Sequence, residues 1–390
     1  MTSTQSRQLA LSTIAFVLCF AVWGLLGALA PILRKDLHLS QTQTAFMIAI
    51  PVLLGSVGRL PMGILADRFG GRLVMTVLLA FAFVPAAGIA LSHGYAALVF
   101  WAFFLGMAGT SFAVGVAFTT RWFEAGLQGT ALGIFGAGGI GQSIAVFFAP
   151  RLAAAWGGWQ PVVWLFGSLS LVWAAAFWWF ARDAKPGAPR SLSAALAPTT
   201  HPMAWLLSLF YFMSFGGFVA MGVYLPTLLT TRYHLLLSDA GARTAGFVVL
   251  ATLTRPIGGW LADRVPAAVI LTGAYAVAAV AALALTPESL TTFTFGALLF
   301  ATAIGLANGA VFKLVPTYFP QETGSVTGLV GAFGGLGGFF PPLLLAFLLD
   351  RTGSYAGGFI ALALVALACR VLAANLSRRG PVLGAASAAD

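Results

Sequence analysis

From Leu11 onward the chain repeats one pattern, an apolar run of about twenty residues or more followed by a short break of glycine, proline and charge. Coiled as a helix rising ~1.5 Å per residue, such a run crosses the ~30 Å hydrocarbon core of a bilayer. The pattern predicts twelve spans, at 11–33, 44–66, 72–92, 95–121, 127–150, 160–181, 204–230, 240–262, 266–286, 291–318, 325–349 and 354–376. Between the sixth and seventh, Arg182-Asp183-Ala184-Lys185-Pro186-Gly187-Ala188-Pro189-Arg190 breaks the apolar pattern and reads as a linker. The expected architecture is an all-α membrane protein: an N-terminal six-helix half at 1–181, a cytoplasmic linker at 182–203 and a C-terminal six-helix half at 204–390. A constant offset of 196 residues relates Arg59 to Arg255, Asp67 to Asp263, Gly109 to Gly305 and Trp122-Phe123 to Tyr318-Phe319. An even number of spans per half makes this a parallel repeat.

Composition narrows the class. Of 390 residues, 60% are hydrophobic and 8% charged, with a mean hydropathy of +0.96, too few charges to cover a soluble globule of this size. The net charge of +10 comes from basic residues scattered through short loops, so it forms no nucleic-acid face. Of the twenty Lys and Arg residues, ten fall on the side of the termini, six on the other side and four within spans, which predicts that both termini are cytoplasmic. The N-terminus reads as an uncleaved first helix. Cys19 and Cys369, in the first and last spans, suggest neither a disulfide nor a metal site, and no cofactor is expected.

The chemistry is concentrated in two arginines. Arg59 lies about eight residues into its span, ~12 Å deep, where an ionisable side chain costs at least ~2.5–3.5 kcal/mol unless it faces a watered, protein-lined cavity. Arg255 repeats this placement in the second half. Neither has an acidic partner in the spans, because all ten Asp and Glu residues fall in loops, at span ends or at the terminus. The pair therefore reads as a clamp whose planar forks donate paired hydrogen bonds to a small oxyanion. No carboxylate pair, metal cluster or nucleophile–base arrangement appears in the spans, so an enzyme is not expected. Lys313 is the remaining titratable candidate for coupling, with a lysine that snorkels to water as the alternative. Asp67 and Asp263, at the ends of the arginine spans, are expected to cap a neighbouring helix and latch the cytoplasmic side. Gly129, Gly133, Ala137 and Gly141, and likewise Gly324, Gly328 and Ala332, recur every four residues and predict small-residue seams for close helix packing.

Gly63-x-x-x-Asp67-Arg68-x-Gly70-Gly71-Arg72, echoed by Gly259-x-x-x-Asp263-Arg264, resembles the loop motif of the major facilitator superfamily. Within it the chain resembles the nitrate/nitrite porter family, through the two arginines, the run from Gly133 to Gly141, the run from Gly328 to Phe340, and Gly309-Ala310-Val311-Phe312-Lys313-Leu314-Val315-Pro316. The resemblance implies signature glycines at Gly136, Gly138, Gly139, Gly334, Gly335 and Gly337. It also implies a site lined by Tyr211, Phe215 and Phe112, with Phe20 the first-half counterpart of Phe215. Where the first signature usually carries an asparagine that helps recognise substrate oxygens, this chain has Gly139; Asn308 is the polar residue expected to take that role. The implied function is transport of nitrate or nitrite by alternating access, as exchange or as proton-coupled uptake, in a monomer of the bacterial inner membrane. Exchange of another small anion, oxalate or formate, is the alternative.

Overall fold

The computed structural model describes residues 2–184, 197–320 and 323–379. Most of the expected linker, residues 185–196, lies outside the described residues. The helices are α1 (Ser3–Asp36), α2 (Gln41–Val57 continued by Arg59–Phe69), α3 (Gly71–Ala90), α4 (Tyr95–Thr120), α5 (Thr130–Ala155) and α6 (Gln160–Phe180) in the first half. In the second half they are α7 (Pro202–Tyr233), α8 (Leu237–Ala262), α9 (Ala267–Ala284), α10 (Leu290–Tyr318), α11 (Ser325–Thr352) and α12 (Ala356–Arg379). Among the described residues eleven are long and apolar enough to cross a membrane; α2 makes the twelfth as a pair of segments bent by 42°. Twelve crossings return α12 to the face where α1 begins, called here the terminal face.

Packing follows the repeat. In the first half α3 packs on α6, α2 on α4 and α1 on α5; in the second, α9 packs on α12, α8 on α10 and α7 on α11. Between halves α1 meets α7, while α2 against α11 is mirrored by α8 against α5, as a twofold axis through the α1–α7 contact requires. The central helices are the most enclosed, 67% of the apolar window of α1 and 83% of that of α7 being buried, against 39% for α6 and 33% for α12. Large apolar side chains such as Trp179, Val172 and Phe295 stay exposed on the outer helices, where lipid is an adequate solvent for them.

Local chemistry sets the helix ends and breaks. Thr2 with Gln5 and Ser40 with Gln43 form reciprocal capping boxes at the starts of α1 and α2. After α1 and α7, His38 and His234 take φ of 51° and 52°, left-handed turns placed 196 residues apart. The break in α2 falls between Gly58 and Arg59, where Pro61 has no N–H to offer the carbonyl of Val57 and its ring crowds that turn. Tighter 3-10 turns interrupt α4 at Gly106–Thr110 and α5 at Ala137–Ile140.

The two halves touch unevenly along the axis. α5 reaches α8 through its Gly141–Ala155 segment and the preceding 3-10 turn. Among the described residues four hydrogen bonds cross between halves. Arg34 to Thr231, Thr42 to Asp350 and Ser143 to Ala245 lie toward the face away from the termini, and Arg59 to Gly331 lies at mid-depth. These contacts hold the pathway shut toward that far face.

Candidate functional site: an arginine pair in an aromatic cavity

Arg59 is the first residue after the break in α2, so the bend turns its side chain inward toward α11. It is 3% exposed, and its Nη1 donates to the carbonyl oxygen of Gly331 at 2.6 Å, while its Nε has no partner. Gly335 makes room: a Cβ there would collide with Ser56 Oγ and come within 3.2 Å of Arg59 Nη1. Arg255 lies within unbroken α8 and lines the central cavity, with no carboxylate partner among the described residues.

Aromatic rings surround both guanidiniums. The Phe112 ring centroid lies 5.5 Å from Arg59 Cζ and 5.8 Å from Arg255 Cζ, so the two cations are at most about 11 Å apart. Phe215 lies 5.1 Å from Arg59 and stacks on Tyr211 at 4.9 Å with planes 9° apart. Tyr211 and Phe312 stand 6.0 and 5.5 Å from Arg255 and meet edge to face. Such contacts supply about 0.5–2 kcal/mol each and hold the guanidiniums in place without neutralising them. The site keeps its positive charge, together with an unpartnered Tyr211 hydroxyl and an unpartnered Asn308 Oδ1. The guanidinium and hydroxyl donors fit a small anion, which Asn308 can serve only through its Nδ2.

Arg59, Arg255, Tyr211, Phe215 and Phe112 thus come together around one point, and Phe20, Asn308, Gly136 and Gly139 line the adjoining cavity. A Cβ on Gly139 would meet nothing within 4 Å, so its missing side chain leaves open space in the wall. The remaining signature glycines are packing positions. Gly138 abuts Phe16 and Thr13, Gly334 lies against the Tyr211 ring, and Gly337 lies against the backbone of Phe212 and Gly216.

Three expectations need correction. Lys313 is outside the cavity: it is exposed at the terminal-face end of α10 and forms an ion pair with Asp263, as the snorkelling alternative has it. Asp67 and Asp263 bind cations of their own halves, Asp67 pairing with Arg121 at 2.9 Å, and neither caps a helix among the described residues. The four-residue glycine seams hold only in part: Gly141 packs against the backbone of Val17, whereas Gly133 and Gly328 face open space and the other close approaches are at Gly138, Gly334 and Gly337. The 3-10 turn in α5 and the break after Leu336 in α11 rotate the register that an ideal helix would keep.

The sequence reading also missed contributors. Thr252 lines the cavity, and Ser56, its equivalent at the 196 offset, is buried beside Arg59 and Gly335. Each stands three residues before its arginine, a signal present in the repeat. Phe16, Phe218 and Phe312 carried no signal that set them apart among 33 phenylalanines.

Comparison with known proteins agrees with this geometry. The Major Facilitator Superfamily model matches residues 11–342 and 207–388. The Nitrite extrusion protein of Bacillus subtilis (strain 168) is 40% identical over 95% of this chain and 94% of its own length. A probable nitrate/nitrite antiporter of Thermus thermophilus is 37% identical over 92% of this chain and 89% of its own. Among solved structures, a bacterial homolog of the human lysosomal transporter Spinster, in an inward-facing and unoccupied conformation, shares the fold with a TM-score of 0.72 at 17% identity, covering 96% of each chain. The human organic anion transporter MFSD10 (TETRAN) does so with a TM-score of 0.71 at 18% identity, over 96% of this chain and 100% of its own. The chain belongs to the Major Facilitator Superfamily, within its nitrate/nitrite porter family.

Proposed function

We propose that this protein is a secondary transporter that carries nitrate and nitrite across the bacterial inner membrane by alternating access, exchanging one anion for the other. The observation that supports it best is the pair Arg59 and Arg255, which share the Phe112 ring, lie beside a central cavity and have no carboxylate partner among the described residues. A planar monovalent oxyanion fits between forked donors and flat rings, and a guanidinium fork matches its oxygens in pairs. The names of the relatives agree with that substrate. Asn308 lines the same cavity as Gly139, and its Nδ2 serves as the hydrogen-bond donor there. With both termini cytoplasmic, as the bias of basic residues favours, the cavity opens to the cytoplasm. The chain acts as a monomer, since each chain holds both arginines of its own site.

Purified protein in liposomes loaded with nitrite should take up labelled nitrate, and excess unlabelled nitrate or nitrite should compete. Oxalate should compete weakly, because it is a longer, doubly charged anion, and formate should compete weakly because its C–H edge accepts no hydrogen bond where nitrite has a nitrogen lone pair. No nitrate or nitrite flux, under either nitrite loading or a proton gradient, would overturn the assignment.

A further inference from the structure

The floor of the cavity, on its closed side, holds an amide with nothing to bind. Phe20 on α1, Gly139 on α5 and Phe218 on α7 line the cavity. All three helices run from the terminal face toward the far face, so residues one turn later form the next layer along the path. Those residues are Gly24, Gln142 and Gly222, and they meet. Gln142 is 0% exposed, and neither its Nε2 nor its Oε1 has a hydrogen-bond partner. A Cβ on Gly222 would lie 2.5 Å from Gln142 Nε2, and one on Gly24 would lie 3.2 Å from its Cγ. The amide is thus held between two glycines, one from each half of the molecule. One turn on, Gly27 lies against the backbone of Val223, closing α1 onto α7.

A buried, unpartnered amide is disfavoured in a static core, and an apolar side chain of the same shape would fill this slot better. Its presence makes sense if the layer comes apart during the cycle. The 3-10 turn at Ala137–Ile140 immediately precedes Gln142 and supplies a hinge within α5. The segment beyond it packs on α8, whereas the Ala125–Gly136 segment packs mainly on helices of its own half.

On the transport reading above, we propose that Gln142 is the barrier of the path on the far side and the first residue to hydrogen-bond the anion when that side opens. When Gly24 and Gly222 move apart, Nε2 is exposed one turn outside the arginine pair and donates to an anion oxygen entering from the far face. An anion entering from the terminal face reaches Arg255 without meeting it. Gln142 therefore sets affinity on one side of the membrane only.

The test is nitrate exchange by the full chain in liposomes of defined orientation, with nitrate presented at one face and nitrite at the other. Gln142→Met keeps length and flexibility and removes the donor. It should raise KM for nitrate at the far face at least tenfold, leave KM at the terminal face within about twofold, and leave the melting temperature unchanged or higher. Gln142→Asn, which retains a shorter amide, should fall between, and it carries the test if the Met variant does not insert. Equal changes at both faces, or none at either, would overturn the proposal while leaving the transport reading intact. Absence of exchange in the unaltered protein at both faces would instead defeat the transport reading, and this inference with it.

Discussion

At the scale of single residues, the deciding feature is a cation kept without a counter-ion. Arg59 is nearly fully buried, yet its described partners are one carbonyl oxygen and two rings, and Arg255 has rings alone. Aromatic faces and a carbonyl dipole lessen the penalty of burial without cancelling the charge, so the remaining attraction is available to substrate. The fork matters as well as the charge. Arg59→Lys and Arg255→Lys should each lose one of a pair of charge-assisted hydrogen bonds, about 1.5–3 kcal/mol, or roughly ten- to hundredfold in nitrate Kd. Calorimetry on the purified variants checks this, and near-normal affinity in either would show that charge alone suffices. The arginines were legible because depth makes any cation conspicuous. Ser56 and Thr252 were not, since a hydroxyl in a span commonly bonds its own helix, as Ser56 Oγ does with the carbonyl of Val52.

At the scale of helices, glycines do two different jobs that spacing does not separate. Gly334 is pressed against the Tyr211 ring, so its Cα positions a wall of the site, whereas Gly133 looks into open space. Gly334→Ala should displace Tyr211, cost about 1–3 kcal/mol as overpacking and weaken nitrate binding with it. Gly133→Ala should be neutral or slightly stabilising, because alanine is the better helix former by up to about 1 kcal/mol. Melting temperature and nitrate affinity measured together distinguish the two; equal sensitivity at both positions would contradict the packing described. The twelve helices were readable from apolar length, and the His38 and His234 turns extend the repeat into backbone conformation. The 3-10 turns were hidden, since their glycine-rich runs resemble others that stay α-helical, such as the stretch from Gly328 to Gly335. The bend in α2 was not foreseen although Pro61 stands beside it, because Pro256 sits within α8 at the corresponding stretch without a comparable break.

At the scale of the whole molecule, charge and closure determine coupling. Moving two unneutralised guanidiniums through a closed, dry intermediate costs several kcal/mol, and a bound monovalent anion removes part of that cost. The loaded carrier should therefore switch sides readily and the empty one poorly. Lys313 lies outside the cavity in an ion pair with Asp263 and is therefore not expected to relieve the empty state. Nitrate should enter nitrite-loaded vesicles much faster than empty ones, an imposed proton gradient should change little, and Lys313→Ala should retain exchange. Gradient-driven uptake into empty vesicles that disappears in Lys313→Ala would reverse the conclusion in favour of symport.

The sequence by itself determined the membrane as solvent, the twelve helices, the internal repeat and the two arginines, because each follows from local hydrophobic length or from a charge that no lipid-facing surface tolerates. It also limited the possible counter-ions, since no carboxylate stands inside a span. Only the tertiary structure decided which groups share a point in space. It brought Phe112 beneath both guanidiniums and gave Arg59 the carbonyl of Gly331. It moved Lys313 to an ion pair at the terminal end of α10 and set the Gln142 amide between glycines of opposite halves. Those contacts join residues far apart in the chain across helix faces whose register shifts at the bend and 3-10 turns, and periodicity along one helix carries no information about the rotation of another.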